Sequence, residues 1–184
     1  MGARAVFLVG FMASGKSTVG RELARRLGWE FVDLDAHIET REGQTIPEIF
    51  TEHGEPEFRV AETRALRDLA DTLEHDIVVA LGGGAFTQEK NRELLRAWPT
   101  VFLQAPVDEL WRRCSEDPEI RPLRKDRRQF AQLYADRLPY YRQATVSVET
   151  SGKDAASICA EIEAALHLSA TNPRATRSPE TGGS

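Results

Sequence analysis

The sequence has little of what marks several specialised classes of protein. It contains only two cysteines, Cys114 and Cys159, and no CxxC pair, which excludes a disulfide scaffold and suits a reducing cytosol. Its four histidines show no metal-ligand spacing. The longest apolar stretch, at 5–13, is about half as long as the ~20 residues that span a bilayer, and it has no small-residue cleavage signature. We therefore expect a cytoplasmic protein that contacts no membrane.

Positive charge is also in short supply. The 24 Lys and Arg residues face 29 Asp and Glu, for a formal net charge of −5, whereas nucleic-acid-binding proteins are more often basic. Basic residues nevertheless outnumber acidic ones between Arg112 and Arg142, which favours a small polyanionic ligand over a long one. Hydrophobic residues make up 41% of the chain, enough for the core of one domain of ordinary size.

Short apolar runs alternate with helical patterns along the chain. The predicted strands lie at 5–9, 31–33, 77–81, 101–103 and 146–148, and the clearest helices at 16–27, 58–73 and 155–168. Strands that alternate with helices indicate an α/β fold in which helices cover both faces of a parallel sheet. We expect one domain over residues 1–168 and a disordered tail over 169–184, where almost nothing can be buried.

A phosphate-binding loop is the strongest motif. Residues 10–17, GFMASGKS, match GxxxxGK[ST] between a predicted strand and a predicted helix. Backbone N–H groups of such a loop surround phosphate oxygens, Lys16 reaches the β- and γ-phosphates, and Ser17 can ligate Mg²⁺. The Asn-Lys-x-Asp of common GTPases is absent, and Thr87 breaks the dinucleotide pattern GxGxxG. A small-molecule or nucleotide kinase fits this chain length best.

Two acidic residues follow the second predicted strand. Asp33 and Asp35 are expected near its carboxyl end, where ligands bind in open parallel sheets. One carboxylate can hold Mg²⁺, while the other accepts the proton of an attacking hydroxyl group. The alternative is structural, because an Asp ahead of residues 36–39 is also a good helix N-cap.

Glycine and arginine residues supply the other candidates. The glycine run at 82–84 ends a strand, either as a flexible turn or as backbone that a substrate can approach closely. Arg59 and Glu62 share one face of a helix, which fits a surface ion pair as well as a binding site. Each arginine can simply be solvated, but Arg59, Arg121 and Arg137 together favour a carboxylated acceptor.

A mobile lid is expected over about 114–126. Arg121 lies in this stretch with Pro122 and Leu123, after Asp117-Pro118, where the helical pattern lapses. A segment of this kind near a nucleotide site is typical of a lid that closes over bound ligand.

The order and spacing of these motifs resemble those of the shikimate kinases. The likeness runs from about residue 5 to residue 168. It rests on GFMASGKST at 10–18, FVDLD at 31–35, GEPEFRVAE at 54–62, GGGA at 82–85, RPL at 121–123 and RLPYY at 137–141. It implies a nucleoside-monophosphate-kinase-like, three-layer α/β/α fold with a five-stranded parallel sheet and a lid. It also implies transfer of the ATP γ-phosphoryl group, with Mg²⁺, to the 3-hydroxyl of shikimate.

The resemblance assigns roles to the matching residues as well. On the nucleotide side, the residues implied to bind ATP are Ala13, Ser14, Gly15, Lys16, Ser17, Thr18, Arg113 and Arg121, with Ser17 and Asp33 serving Mg²⁺. On the acceptor side, the implied residues are Asp35, Phe50, Phe58, Arg59, Glu62, Gly82, Gly83, Gly84 and Arg137. Lys16, Asp35 and Arg121 are the implied catalytic residues, and Asp35 is the candidate base.

Two other functions stay open. A related small-metabolite kinase such as a gluconate kinase shares the fold and the phosphate-binding loop, although the FRxxE and RPL elements argue against it. A nucleotide-binding regulatory relative without catalysis is the other, and the retention of Lys16, Asp33, Asp35 and Arg59 argues against it. We expect a monomer whose ligands are shikimate and MgATP.

Overall fold

The structure, a computed structural model, describes residues 4–116 and 126–170. Its strands are β1 (Ala5–Val9), β2 (Glu30–Asp33), β3 (Ile77–Ala80), β4 (Thr100–Gln104) and β5 (Val146–Glu149). Its helices are α1 (Lys16–Leu27), α2 (Leu34–Glu42), α3 (Ile46–Asp71), α4 (Glu89–Leu94), α5 (Val107–Glu116), α6 (Arg127–Tyr141) and α7 (Ala155–Leu166). Short 3₁₀ turns at Ala85–Thr87 and Leu95–Ala97 precede and follow α4.

The five strands form one parallel sheet in the order β2-β3-β1-β4-β5. β1 is central, so that Phe7 lies opposite Val79 on one side and Thr100 on the other. Every residue of β1 is buried, which agrees with its unbroken apolar sequence. The predicted α/β class and the five-stranded parallel sheet are therefore confirmed.

Two hydrophobic clusters occupy the two faces of the sheet. Leu8 of β1 points to a cluster that includes Leu23 of α1 and Ile162 of α7. Phe7, on the opposite face, belongs to a larger cluster with Leu66 of α3 and residues from α2, α5 and α6. Alternate residues of one strand thus serve both layers, because successive side chains of a strand point to opposite faces.

α3 is longer than its apolar pattern predicts. It begins at Ile46, after a capping box in which Thr45 and Glu48 satisfy each other's backbone N–H groups, and not near residue 58. Gly54, with φ 81° and ψ 170°, kinks the helix, and Pro56 follows two residues later. These two residues interrupt the helical pattern, and only a glycine adopts that backbone conformation readily.

α6 continues through Pro139 to Tyr141. A proline removes one helical N–H donor. After Pro139, the N–H of Arg142 donates to the Leu138 carbonyl at 3.1 Å, a helical hydrogen bond at the end of α6. Most of the predicted lid, including Arg121, lies at 117–125, outside the described residues, as does 171–184 of the predicted tail. In the described ranges, no helix is both long and apolar enough to cross a membrane.

Candidate active site

The phosphate-binding loop lies at the carboxyl end of the central strand β1 and leads directly into α1. The amino end of that helix therefore lies at the loop, a position that favours an anion. Ala13 has φ 59°, a left-handed conformation that few residues other than glycine adopt. The turn is held closed by the Ser14 N–H, which donates to the Phe11 carbonyl at 3.2 Å.

Lys16 reaches back across this loop. Its Nζ donates to the carbonyl oxygens of Gly10 and Phe11 at 3.0 and 2.8 Å. Burial lowers the pKa of Lys16 to about 8, against the opposing effect of Asp35 and Asp33. The ammonium group is therefore largely removed from water and is held against the backbone of the loop.

Ser17 and Asp33 meet below the loop. The Ser17 hydroxyl donates to Asp33 Oδ2 at 2.6 Å. The other oxygen of Asp33 accepts the N–H groups of Asp35 and Ala36, at 3.1 and 3.3 Å, and so caps α2. The structural and functional alternatives for this residue are thus compatible, because each uses a different carboxylate oxygen.

Asp35 lies in the first turn of α2 and faces the glycine turn after β3. A Cβ atom on Gly82 would lie 2.6 Å from Asp35 Oδ1 and 3.2 Å from Glu62 Oε1. Burial raises the pKa of Asp35; the neighbouring Asp33 adds to this shift, and Lys16 opposes it. A carboxylate with a raised pKa is a better proton acceptor than one in water.

The side chains of two arginines also lie close to the glycine turn at 82–84. A Cβ atom on Gly84 would lie 2.6 Å from Arg59 Nη1, and one on Gly83 would lie 3.4 Å from Arg137 Nη1. The three glycines therefore leave room for charged side chains from α2, α3 and α6. Charged side chains thus approach the backbone of this run closely, and the approach of a substrate to it stays a prediction.

The interpretation of Arg59 and Glu62 as a surface ion pair is only half right. Arg59 Nη1 donates to Glu62 Oε2 at 2.9 Å, and Nη2 donates to Glu55 at 3.0 Å. The Glu62 side chain, however, is only 1% exposed, and its Oε1 has no hydrogen-bond partner among the described residues. Burial raises the pKa of Glu62 to about 7 although Arg59 opposes the shift.

The pKa of Glu62 gives the stability of the chain an expected pH dependence. Because this pKa rises from 4.5 to about 7 on folding, the folded state binds a proton between these values that the unfolded state releases. The stability associated with Glu62 is fully present below pH 4.5 and is lost as the pH rises through about 7. The thermal unfolding temperature of the native chain should therefore fall over this pH range, relative to that of Glu62→Gln. A constant difference between the two proteins would contradict the assignment.

Phe50 and Phe58 lie beside this ion pair. Their ring centroids are 4.7 Å apart, and the Arg59 guanidinium carbon lies 5.1 Å from the Phe58 ring centroid. Phe58 is buried while Phe50 is 37% exposed. The two rings contact each other across the Gly54 kink, which brings the first part of α3 back towards the second.

Arg113 borders a cavity beside the phosphate-binding loop. This cavity of about 230 Å³ is lined by Ala13, Ser14, Gly15, Thr18, Val19, Arg113, Thr150, Lys153, Ala155 and Ile158. Arg113 donates to the Ala13 carbonyl at 3.3 Å and pairs with Glu109, which also accepts the Ser151 hydroxyl. The sequence motifs gave no indication of Lys153 or Glu109, because both lie in segments without a recognisable pattern.

Tyr141 is another residue that the sequence reasoning did not single out as functional. Its hydroxyl donates to the Gly83 carbonyl at 2.5 Å, and burial raises its pKa to about 12. This bond fastens the end of α6, which carries Arg137, to the glycine turn. The RLPYY motif at 137–141 contained the signal. In the described ranges, no group of three His, Cys, Asp or Glu side chains gathers as a metal site would require.

Comparisons with known proteins agree with this arrangement. The family model described as Shikimate kinase matches residues 12–167. A shikimate kinase of Geobacter metallireducens is 47% identical over 163 residues, which cover 86% of this chain and 89% of the relative. The structure of a shikimate kinase from Acinetobacter baumannii in complex with shikimate has a TM-score of 0.81 and 38% identity, and the match covers 90% of this chain and 94% of that one.

A gluconokinase structure from Sinorhizobium meliloti matches less closely. It has a TM-score of 0.62 and 22% identity, and the match covers 89% of this chain and 91% of that one. At this identity the likeness concerns the fold alone. The family model and the Geobacter relative, by contrast, each match most of the sequence. The chain therefore belongs to the shikimate kinase family.

Proposed function

We propose that this protein transfers the γ-phosphoryl group of ATP to the 3-hydroxyl of shikimate, giving shikimate 3-phosphate and ADP. The observation that carries the proposal is the glycine turn at 82–84, where Asp35, Arg59 and Arg137 converge beside the phosphate-binding loop. This turn supplies a hydroxyl-activating carboxylate and two guanidinium groups at the end of β3. An acceptor with both a hydroxyl and a carboxylate group matches that set.

On the donor side, the loop at 10–17 binds the phosphates of ATP. Its N–H groups and the amino end of α1 contribute partial positive charge, and Lys16 exchanges its carbonyl partners for the β- and γ-phosphates. Arg113, which lines the cavity of about 230 Å³, would flank the adenine. Arg121 would add a further guanidinium group from the lid.

Ser17 and Asp33 are the residues that would hold Mg²⁺. A hydroxyl group and a carboxylate fit this ion, which prefers oxygen ligands and is commonly bound by one or two carboxylates together with substrate phosphates. The 2.6 Å hydrogen bond between the two side chains keeps Ser17 Oγ and Asp33 Oδ2 close to each other. When bound, the ion neutralises charge on the β- and γ-phosphates.

On the acceptor side, Asp35 orients the 3-hydroxyl and accepts its proton. The hydroxyl oxygen forms a bond to the γ-phosphorus while the bond from that phosphorus to the bridging oxygen of ADP breaks. Since the transition state of phosphoryl transfer is loose, orientation contributes as well as proton acceptance. Arg59 and Arg137 pair with the acceptor carboxylate, Glu62 holds Arg59, and Phe50 and Phe58 line the pocket.

A coupled ADP-release assay tests the proposed function. Shikimate, gluconate and nucleoside monophosphates are offered in parallel at equal concentration with MgATP. We expect ADP release to depend on shikimate alone. Release that gluconate or a nucleoside monophosphate supports equally well, or none with any acceptor, would overturn the proposal. The same preparation, analysed by light scattering, tests the expected monomer.

The carboxylate role of Arg59 leads to a prediction for Arg59→Lys. An ammonium group cannot reproduce the planar, two-point contact of a guanidinium group with a carboxylate. We expect the affinity for shikimate to fall, by less than the ~2–5 kcal/mol lost when one partner of a buried charge pair is removed, because lysine keeps the charge. An analogue that lacks the carboxylate should lose little further affinity in the variant. If the two losses simply add, Arg59 does not pair with that group.

Methyl groups added to the glycine turn should have distinct effects. Gly84→Ala would displace the Arg59 guanidinium, so KM for shikimate should rise by on the order of 10²-fold while KM for ATP stays unchanged. Gly82→Ala would displace Asp35 and should lower kcat instead. Gly83→Ala, whose methyl group would lie 3.4 Å from Arg137, is the milder control. Equal effects of all three substitutions would indicate a general loss of structure.

A further inference from the structure

A cationic groove, separate from the cavity beside Arg113, lies next to the proposed acceptor site. It has a volume of about 530 Å³ and runs between α3 and the start of α4. Its lining includes four cationic side chains and a single carboxylate, on Arg59, Arg64, Arg67, Lys90 and Glu89. Thr63 and Gln88 add hydrogen-bonding groups. A volume of this size falls within the range of small-molecule sites.

Three cations of this groove have no carboxylate partner among the described residues, as is true of other arginines such as Arg21 and Arg128, but here they share one concave surface. Arg64, Arg67 and Lys90 form no ion pair with another described residue. Elsewhere on the described surface, Arg26 pairs with Glu163, and Arg41 pairs with Asp68. In a chain of net charge −5, a concave surface with several uncompensated positive charges is a site of attraction for anions.

Arg59 belongs to both the groove and the acceptor site. It lines the groove, while its Nη1 donates to the buried Glu62 and lies next to Gly84. An anion in the groove would therefore compete for the charge of the guanidinium group that the acceptor carboxylate needs. Two ligands that depend on one arginine influence each other's affinity reciprocally.

We propose that this groove binds a small dianion that carries a phosphoryl group, and that its occupancy weakens binding of the acceptor through Arg59. Guanidinium and ammonium groups are the usual partners of phosphoryl oxygens. The coupling rests on the proposed function of Arg59, whereas binding in the groove does not.

Binding is tested by calorimetry with inorganic phosphate on the full chain, at constant ionic strength and with MgADP present to fill the phosphate-binding loop. We expect the native chain to bind phosphate and the double variant Arg67→Gln/Lys90→Gln to lose this binding. The control Arg21→Gln/Arg25→Gln removes the same charge from α1, on the opposite face of the sheet, and should bind phosphate normally. Equal binding by all three proteins would mean an adventitious ion only, and would overturn the proposal, as would no binding at all.

Kinetics test the coupling. Saturating phosphate should raise KM for shikimate about fivefold or more in the native chain and the control, but not in the Arg67→Gln/Lys90→Gln variant. Without phosphate, the three proteins should have equal activity. The same rise in the double variant would place the anion at the acceptor site itself and contradict the groove. Failure of the proposed function is distinguishable, because then no shikimate-dependent ADP release occurs in any of the three.

Discussion

Lys16→Met is expected to lower the rate of phosphoryl transfer by about 10²–10³-fold, the usual loss when one preorganised charge at the reacting group is removed. The side chain of Lys16 is half-buried beside the loop, and its Nζ donates to the carbonyl oxygens of Gly10 and Phe11 and to the Ser14 hydroxyl oxygen. Methionine has a similar length and no charge, so the space stays filled. The fold should persist because the apolar core lies elsewhere.

The experiment compares single-turnover rates and thermal unfolding of the variant with those of Lys90→Met. This control makes the same chemical change on an exposed lysine outside the active site. We expect the control to transfer phosphate at the native rate, and both variants to unfold near the native temperature. A rate close to native for Lys16→Met would contradict the role of the loop.

Asp35→Asn is the second change with a large expected effect. Asparagine keeps the size of the side chain but loses the charge and the ability to accept a proton. Transfer should fall by roughly 10²–10⁴-fold, the range for a positioned general base, with KM for ATP nearly unchanged. The measurement is the initial rate at saturating MgATP and shikimate.

Asp33→Asn is the matched comparison, since the two carboxylates are close neighbours with different predicted roles. The charge of Asp33 would act through Mg²⁺, so its loss should raise the Mg²⁺ concentration needed for half-maximal rate. Excess Mg²⁺ should rescue Asp33→Asn and leave Asp35→Asn impaired. The opposite pattern would mean that the two roles are reversed.

Much of the fold could be predicted from the sequence because the signals were local. Three such signals act within a few residues: the apolar run of β1, the loop at 10–17, and Gly28, which ends α1 in the left-handed conformation. The early start of α3 was missed, because it depends on the Thr45–Glu48 capping box and on a kink at Gly54 that hides the helical periodicity. When helical periodicity is interrupted, prediction from sequence places the end of the helix there.

The candidate site was predictable to the extent that motifs carry it. Ser17, Asp33, Asp35 and Arg59 all lie where their motifs suggest, near the loop or the glycine turn. Burial was not predictable in the same way: Glu62 has an unpartnered carboxylate oxygen only because α3 packs against the turn after β3. That property arises from residues 20 positions apart in sequence, and no spacing rule within one helix contains it.

The position of β1 in the sheet also has a consequence for synthesis of the chain. β1 leaves the ribosome well before its two neighbours in the sheet, β3 at Ile77–Ala80 and β4 at Thr100–Gln104. At ~5–20 residues per second, both edges of β1 stay unpaired for roughly 3–14 seconds, until β3 has been translated, and one edge stays unpaired for roughly 5–20 seconds, until β4 has been translated. Its sequence, AVFLV, is wholly apolar, and unpaired apolar strands attach readily to other chains. The strand order that centres the phosphate-binding loop thus leaves an apolar strand open to wrong pairing until the fourth strand of the sheet has been translated.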